Sequence, residues 1–170
     1  MIRFGLLMTK YIALLRAVNV GGTGKLPMSD LKTMCCDAGF AHVETYIASG
    51  NVVFESEAPP SRVRAELEDR LHAYTGKRVG VVVMLAVLKA NPFPKADPRY
   101  TYAVFLHEPA PSDALTHVSG QQDEEVRLGE REIFIHYPRG MGRSKLRIPV
   151  AKTGTARNMN TVAKLVEITS

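Results

Sequence analysis

The sequence predicts an α+β fold built from two subdomains, at residues 8–85 and 86–170. Short apolar runs of strand length alternate with stretches in which apolar residues recur every three or four positions, the spacing of a helix face. In the first half, four strand-like runs and two helical stretches follow one another in the order βαββαβ, which is that of a ferredoxin-like α/β plait. The turn-forming residues 91–94, Asn-Pro-Phe-Pro, separate this half from a second group of strands.

The elements of the first subdomain are bounded by turn and capping residues. Helices are expected to begin near residues 28 and 60, and strands are expected at 10–17, 43–48, 52–55 and 78–84. Gly39 and Gly76 end the two helices. The turn at 49–51 joins the second and third strands as a hairpin. Two helices on such a sheet would cover one of its faces and leave the other face open.

The second subdomain is expected to repeat this order less regularly. A short helical piece precedes the turn-rich junction, and another short helix is expected after Pro111-Ser112. Strands are expected at 100–107, 125–128 and 132–137, the last two forming a hairpin that turns at Gly129. A helix is expected at about 159–168. The sequence therefore predicts two ferredoxin-like (α/β plait) subdomains, the second irregular with a C-terminal helix.

The positive charge of the chain is concentrated in its last fifth. The formal net charge is +5, yet no Asp or Glu lies between Ile133 and Val166. Seven of the 22 Lys and Arg residues lie in that stretch: Arg139, Arg143, Lys145, Arg147, Lys152, Arg157 and Lys164. Cations interspersed with Gly, Ser, Thr and Asn supply both a positive field and hydrogen-bond donors. Such a segment suits an anionic partner, either nucleic acid or a phosphorylated metabolite.

Composition and residue spacing argue against several classes of protein. No apolar run reaches the roughly 20 residues needed to cross a bilayer, so no membrane partner is expected. The adjacent Cys35 and Cys36 lack the spacing of a disulfide framework or a zinc site, and the five histidines show no metal-ligand spacing. No metal and no cofactor are therefore expected, and a reducing cytoplasm is the expected compartment. The composition leaves the oligomeric state open.

The N-terminus resembles a signal peptide only superficially. Lys10 and Arg16 interrupt its apolar residues, and no small-residue cleavage site follows them. Met8 offers an alternative start, in which case residues 1–7 are a short disordered leader. Both starts, Met1 and Met8, remain open.

Six blocks of the sequence resemble those of a known family. In chain order they are YIALLRAVNVGG, MSDLKTM, VETYIASGNVVF, NPF, YPRGMGRSKL and GTARNMNTV. The chain is thereby similar, from about residue 11 to residue 168, to domain-of-unknown-function family 1697, a family of uncharacterised bacterial cytoplasmic proteins. The resemblance implies a fold of two α/β-plait subdomains and implies no activity. Where the family leads us to expect an aromatic residue before Asn160, this chain has Met159, which weakens a stacking role there.

The Gly-rich loop at 19–26 lies between a predicted strand and a predicted helix, as a P-loop does. The comparison fails because Asn19 stands where the first Gly is needed and Leu26 stands where the magnesium-binding hydroxyl is needed. Two interpretations remain: a flexible connection, or a looser anion nest in which backbone N–H groups and Lys25 hold a phosphate. Arg16, near the end of the preceding strand, is expected either to pair with a carboxylate across the hairpin or to contact the ligand.

The best candidate site in the sequence is the start of the last helix. Asn158 or Asn160 is expected to cap this helix, with Thr161 in its first turn. The N–H groups of a helix N-terminus hold phosphate or carboxylate readily, and Arg157 beside them could add a bidentate contact. The alternative is a capped helix whose Arg157 pairs with a carboxylate.

The basic loop at 139–147 would join this site if it folds over the helix N-terminus. Its contributing side chains would be Arg143, Ser144 and Lys145. The two segments together would then form one pocket for an anion.

Two classes of function follow from these candidates. The favoured one is a phosphate- or nucleic-acid-binding module that uses the basic C-terminal segment, although only Phe54 is present where RNA-binding plaits carry several stacking aromatics. The alternative is an enzyme acting on a small phosphorylated or acidic metabolite bound between the two subdomains. Arg157, Lys145, Arg143 and Arg16 would be its electrostatic groups, but the sequence has no recognisable base or nucleophile. A protein-interaction domain whose charge serves solubility is a third option.

Overall fold

The computed structural model describes residues 7–21, 25–85 and 91–170. The chain divides into two compact units, one comprising Met1–Val87 with Ile168–Ser170 and the other Leu88–Glu167. Each unit has one sheet of four antiparallel strands, and the described residues contain three α-helices, so the fold is α+β. The helical piece expected before the junction falls at 86–90, outside the described residues, as do residues 1–6 of the possible leader.

The first unit follows the predicted order of elements. They are β1 (Thr9–Leu15), α1 (Met28–Asp37), β2 (Ala41–Tyr46), β3 (Asn51–Ser56), α2 (Pro60–Thr75) and β4 (Val81–Leu85). The strand order in the sheet is β2-β3-β1-β4, with all neighbours antiparallel. Strand ends differ from the prediction because pairing decides them. Leu15 and Val81 are the last pair between β1 and β4, so Arg16 lies beyond the strand.

Both faces of the first sheet are buried. One face packs against the two helices in an apolar cluster that includes Leu31 and Leu67. On the opposite face, Ile12, Leu14 and Val82 are fully buried. The expectation of an open sheet face is therefore wrong. The apolar run at 11–15 already carried the signal, because a strand buried on both faces is continuously apolar rather than alternating.

The second unit has its own sheet and an irregular covering layer. Its elements are β5 (Thr101–Phe105), β6 (Glu125–Leu128), β7 (Glu132–His136), β8 (Thr155–Asn158) and α3 (Met159–Thr169), whose last two residues belong to the first unit. The strand order is β6-β7-β5-β8, again antiparallel throughout. Apolar residues of the segments 110–118 and 146–151 pack on one face of this sheet. The hairpin turns at Gly129 and α3 begins at Met159, as predicted.

One expectation for the second unit is wrong, and one of its strands was not predicted. The residues after Pro111 form turns at 112–117 instead of a helix, because their backbone bonds span only three residues, as from Thr116 N–H to Asp113 O at 2.8 Å. The short strand β8 was not expected, because the sequence Thr-Ala-Arg-Asn is polar. It pairs with β5 where Gly154 lies close to the neighbouring backbone: a Cβ there would be 2.5 Å from Phe105 O.

Candidate anion-binding site

A cavity of about 400 Å³ lies at the end of the first sheet where β1 stops and β4 starts. Because these two strands are antiparallel neighbours, the segment after β1 and the segment before β4 lie side by side. A hydrogen bond from Arg16 N–H to Gly80 O, 2.9 Å long, joins them. The cavity is therefore formed by two segments that are about 60 residues apart in the chain and are brought together by strand pairing.

Four cationic side chains line this cavity. They are Arg16, Lys25, Lys77 and Arg78, and none of the described residues that line the cavity is Asp or Glu. Lys25, Lys77 and Arg78 are exposed to solvent, as is Arg16. Clustered cations in a concave surface focus a positive potential and raise the local concentration of anions. This arrangement favours a ligand with more than one negative charge.

Asn19 ties the loop on one side of the cavity to its neighbours. Its Nδ2 donates to Leu26 O at 2.9 Å and to Ala48 O at 2.8 Å, while its Oδ1 accepts from Leu26 N–H at 2.6 Å. The side chain thus joins both ends of the loop at 19–26 and the hairpin turn before β3. Asn19 and Leu26, at the two ends of the loop, are therefore held by hydrogen bonds and do not fit the interpretation of a flexible connection. Residues 22–24 of the loop lie outside the described residues.

Backbone strain is concentrated at the same end of the sheet. Of the described non-glycine residues, Ala17, Asn19 and Ile47 have positive φ angles of 49°, 56° and 50° at this end, and His42, near the opposite end of β2, has one of 51°. A non-glycine residue in this region costs on the order of 1–3 kcal/mol, and such residues cluster at functional sites. Asn19 links the two strained segments through its bond to Ala48.

Tyr74 forms one side of the cavity from the last turn of α2. Its hydroxyl donates to Asp30 Oδ2 of α1 at 2.6 Å, and this hydrogen bond raises the pKa of Tyr74 above its usual value. The phenol therefore stays protonated, and its ring is held in place between the two helices while remaining about half-exposed. Tyr74 lies at helical spacing from Leu67 and Leu71, but those two residues are fully buried and Tyr74 is not.

The structure places the predicted site residues in two separate groups. Arg16 and Asn19 line the cavity of the first unit together with Lys25. The remaining predicted residues all lie in the second unit: Arg143, Ser144, Lys145, Arg157, Asn158 and Thr161.

Arg157 is a buried residue of β8, with only 7% of its surface exposed. Its Nη1 donates to Thr155 Oγ1 at 2.8 Å and to Ala156 O at 2.9 Å. Burial lowers the pKa of Arg157 to about 10. A buried guanidinium held by hydrogen bonds within its own strand is placed to support the fold rather than to meet a soluble anion.

The N-terminus of α3 is already capped. Asn158 Oδ1 accepts the N–H of Thr161 at 3.0 Å, and the N–H of Met159 donates to Pro98 O at 3.2 Å. Asn158 is thus the cap, one of the two residues the sequence proposed, and two amide groups at this end of the helix are occupied by the protein itself.

The basic loop is tied to an acidic segment that precedes β6. Ser144 Oγ donates to Glu124 Oε1, and Glu124 also accepts the N–H of Gln122 at 2.7 Å. These hydrogen bonds lower the pKa of the buried Glu124 carboxyl, and the bond from Ser144 contributes most. Glu124 is therefore buried and hydrogen-bonded although it lies in a run of three carboxylates at 123–125.

The neighbouring Asp123 is bonded to the basic loop as well, because Arg139 forms an ion pair with it at 2.7 Å. Arg143 and Lys145 are exposed.

Across the described ranges, no group of three His, Cys, Asp or Glu side chains is arranged to hold a metal ion. None of the helices in those ranges combines the length and the apolar composition needed to span a bilayer.

Sequence reasoning missed Tyr74, Lys77 and Arg78. A signal for the two cations was present, because the chain has no Asp or Glu between Asp69 and Asp97. The site was instead predicted in the longer acid-free stretch near the C-terminus. That this segment faces Arg16 follows only from the pairing of β1 with β4.

Comparisons with known proteins identify the family and the fold. The solved structure of conserved bacterial protein SP0830 from Streptococcus pneumoniae is similar to this chain with a TM-score of 0.79 and 23% sequence identity, covering 96% of this chain and 100% of that one. At this identity the likeness concerns the fold alone. None of the curated proteins matches this sequence significantly.

The family comparison covers most of the chain. The model of DUF1697, whose description is protein of unknown function, matches residues 8–134. The last two of the six sequence blocks, which begin at Tyr137 and Gly154, lie beyond the matched range. The first four blocks lie within it, and the chain belongs to the DUF1697 family.

Proposed function

We propose that the first unit binds a small phosphate-bearing ligand in the cavity beside β1 and β4. The observation that carries the proposal is the convergence of Arg16, Lys25, Lys77 and Arg78 on one cavity of about 400 Å³ whose described lining contains no carboxylate. Small-molecule sites commonly have volumes of roughly 300–1,000 Å³. The proposal keeps the expectation of anion binding and moves it from the C-terminal segment to the first unit.

The chemistry of these side chains suits a phosphate group. Arginine can hold two oxygens of one phosphate through parallel N–H donors, while lysine acts as a compact positive charge with three donors. Their mutual repulsion is relieved when an anion binds, so a ligand with two or more negative charges gains most. Binding of this kind weakens as salt screens the charges.

The contacts of the basic C-terminal segment support this relocation. Arg157 is buried, and Arg139 and Ser144 are engaged by Asp123 and Glu124. Nucleic-acid binding remains a second candidate because Arg143, Lys145 and Arg147 are exposed in one short stretch. Contacts from such a stretch would be to phosphates, with little sequence preference.

The strand orders support a finer description of the fold. We propose that both units are ferredoxin-like plaits. The βαββαβ order with β2-β3-β1-β4 in the sheet supports this for the first unit. The equivalent order β6-β7-β5-β8 supports it for the second, where irregular segments replace the helices.

The free thiols of Cys35 and Cys36 support a reducing cytoplasm as the compartment.

The test uses inorganic pyrophosphate as the probe. Titration calorimetry at about 50 mM salt compares the wild type with the variants Arg78→Gln and Lys77→Gln. Each change removes charged hydrogen bonds to the ligand, so we expect a loss of about 1.5–3 kcal/mol in binding, at least roughly tenfold in Kd.

Two matched controls carry the same change of charge elsewhere. Lys32→Gln alters an exposed lysine of α1, and Lys145→Gln alters the basic loop of the second unit. Both are expected to bind pyrophosphate as the wild type does. If Lys145→Gln abolishes binding while Arg78→Gln does not, the site lies in the second unit. The proposal also fails if the wild type does not bind pyrophosphate at all.

A further inference from the structure

The cavity of the first unit has an apolar wall as well as its cations. Val18 and Leu26 are buried with 6% and 3% of their surface exposed, and they line the cavity together with Val79. A bare inorganic anion would use only the charged side chains and leave this wall in contact with water. A cavity with convergent polar groups on an apolar wall is typical of a ligand that has both a charged end and an apolar or aromatic body.

Tyr74 adds a fixed aromatic ring to this wall. It is 49% exposed although it lies on a helix whose preceding apolar positions are buried. Its hydroxyl is held by Asp30 at 2.6 Å, which limits the rotation of the side chain. A tyrosine whose polar end is already bonded and whose ring remains accessible provides a rigid platform for stacking at a small entropic cost.

We propose that the ligand is a nucleoside diphosphate, with its base against the Tyr74 ring and its phosphates on Arg16, Lys25, Lys77 and Arg78. This inference rests on the proposed function, because it names the ligand class of the same cavity. The four cations exceed the charge of one phosphate and match a diphosphate better. Base–aromatic stacking tolerates any base, because every base has a flat aromatic face. The site therefore selects for the diphosphate and the presence of a base rather than for a particular base.

The test compares adenosine diphosphate with inorganic pyrophosphate in magnesium-free buffer, using titration calorimetry on the full chain. The two probes carry a similar anionic group and differ in the nucleoside. We expect adenosine diphosphate to bind about tenfold more tightly, because one base–aromatic stack contributes that much. Cytidine and guanosine diphosphates are expected to bind within a few-fold of the adenosine compound.

Two substitutions of Tyr74 distinguish the contribution of its ring to binding from that of its hydroxyl. Tyr74→Leu removes the ring and is expected to lower the ratio of the two dissociation constants, that of pyrophosphate over that of adenosine diphosphate, from about ten to about one. Tyr74→Phe keeps the ring, loses the bond to Asp30, and is expected to retain most of the advantage. Tyr74 is exposed, and a general effect of either substitution on the cavity would change the binding of both probes alike and leave their ratio unchanged.

The outcomes distinguish this inference from the proposed function. If neither probe binds, the proposed function fails and the nucleotide inference fails with it. If pyrophosphate binds but adenosine diphosphate binds no more tightly, the anion site stands and the nucleotide inference is overturned. An advantage that survives in Tyr74→Leu also overturns it, because the nucleoside would then not be held by this ring.

Discussion

Gly50 lies in the turn between β2 and β3, where this turn packs against the end of β1 and the loop that follows it. Its φ angle is +81°, a conformation that side chains rarely adopt. A Cβ at this position would be 2.6 Å from Val18 Cγ2 and 2.8 Å from Leu15 Cβ. Val18 lines the proposed cavity, so the absence of a side chain at residue 50 sets the position of one wall.

Gly50→Ala is expected to be markedly more destabilising than Gly39→Ala. Gly39 has the same φ of +81° but open space around its Cβ position, so its substitution measures the backbone strain alone, about 1–2 kcal/mol. The clash at Gly50 adds about 1–3 kcal/mol. Urea unfolding of the two variants checks the difference. Equal losses of stability would show that Val18 moves aside without cost.

The two cysteines occupy different environments although they are adjacent. Cys35 is fully buried in the first unit, and burial, with a smaller contribution from Cys36, raises its pKa to about 12. Cys36 is exposed. Because the thiolate is the reactive form, we expect one thiol per native chain to react with an aromatic disulfide reagent at pH 8. The second should react only after unfolding, and two fast native thiols would contradict the burial of Cys35.

The raised pKa of Cys35 also predicts a pH dependence of stability. Between its usual value of 9.0 and about 12, the folded chain keeps a proton that the unfolded chain loses. Stability from this group is therefore complete below pH 9 and is lost as the pH rises. The variant Cys35→Val should lose less stability between about pH 9 and 10.5 than the matched variant Cys36→Val.

At the level of elements, α3 is stabilised by its N-cap, for which the sequence offered two candidates, Asn158 and Asn160. Asn158→Ala removes the acceptor of the Thr161 N–H and is expected to cost about 1 kcal/mol of unfolding free energy. Asn160 is exposed in the first turn, so Asn160→Ala is expected to change stability by only a few tenths of a kcal/mol, roughly. Thermal unfolding of both variants checks this, and equal effects would mean that the cap contributes little.

The elements themselves were predicted where their residues carry a local signal. The helices α1, α2 and α3 and the hairpin of β6 and β7 follow from periodicity, prolines and glycines, and the structure confirms them. The strand β8 was missed because a polar strand of four residues has no periodicity of its own. It exists because β5 offers an edge with which residues 155–158 pair.

At the level of the whole molecule, charge is organised by acid-free stretches of the chain. Asp30 is the first acidic residue, and none lies between Asp69 and Asp97 or between Glu132 and Glu167. The first two stretches meet at the cavity of the first unit. The third is tied in part to Asp123 and Glu124, which precede it in the chain. The cations of the first unit therefore line a cavity, whereas part of the basic segment of the second unit is bonded to carboxylates.

The candidate site could be predicted only in part. Arg16, Asn19 and Lys25 were proposed as possible anion contacts because they are neighbours between a strand and a helix, with a flexible connection or a structural ion pair of Arg16 as the alternatives. Arg157 was proposed as a ligand contact because it precedes a helix cap in the sequence, whereas in the structure it lies in β8, which pairs with β5, and it is buried. Lys77, Arg78 and Tyr74 were not connected with that loop, because no local pattern relates residues so far apart in the chain.

The sequence alone determined the family, the α+β class, the number of strands in the first unit, the glycines at which its helices end and the existence of cationic segments. These depend on interactions between residues that are close in the chain. The tertiary structure decided which cations share a cavity, that both faces of the first sheet are buried, and that Glu124 accepts a hydrogen bond from Ser144. These depend on strand pairing between distant segments, and the register of that pairing is set by the packing of the whole unit.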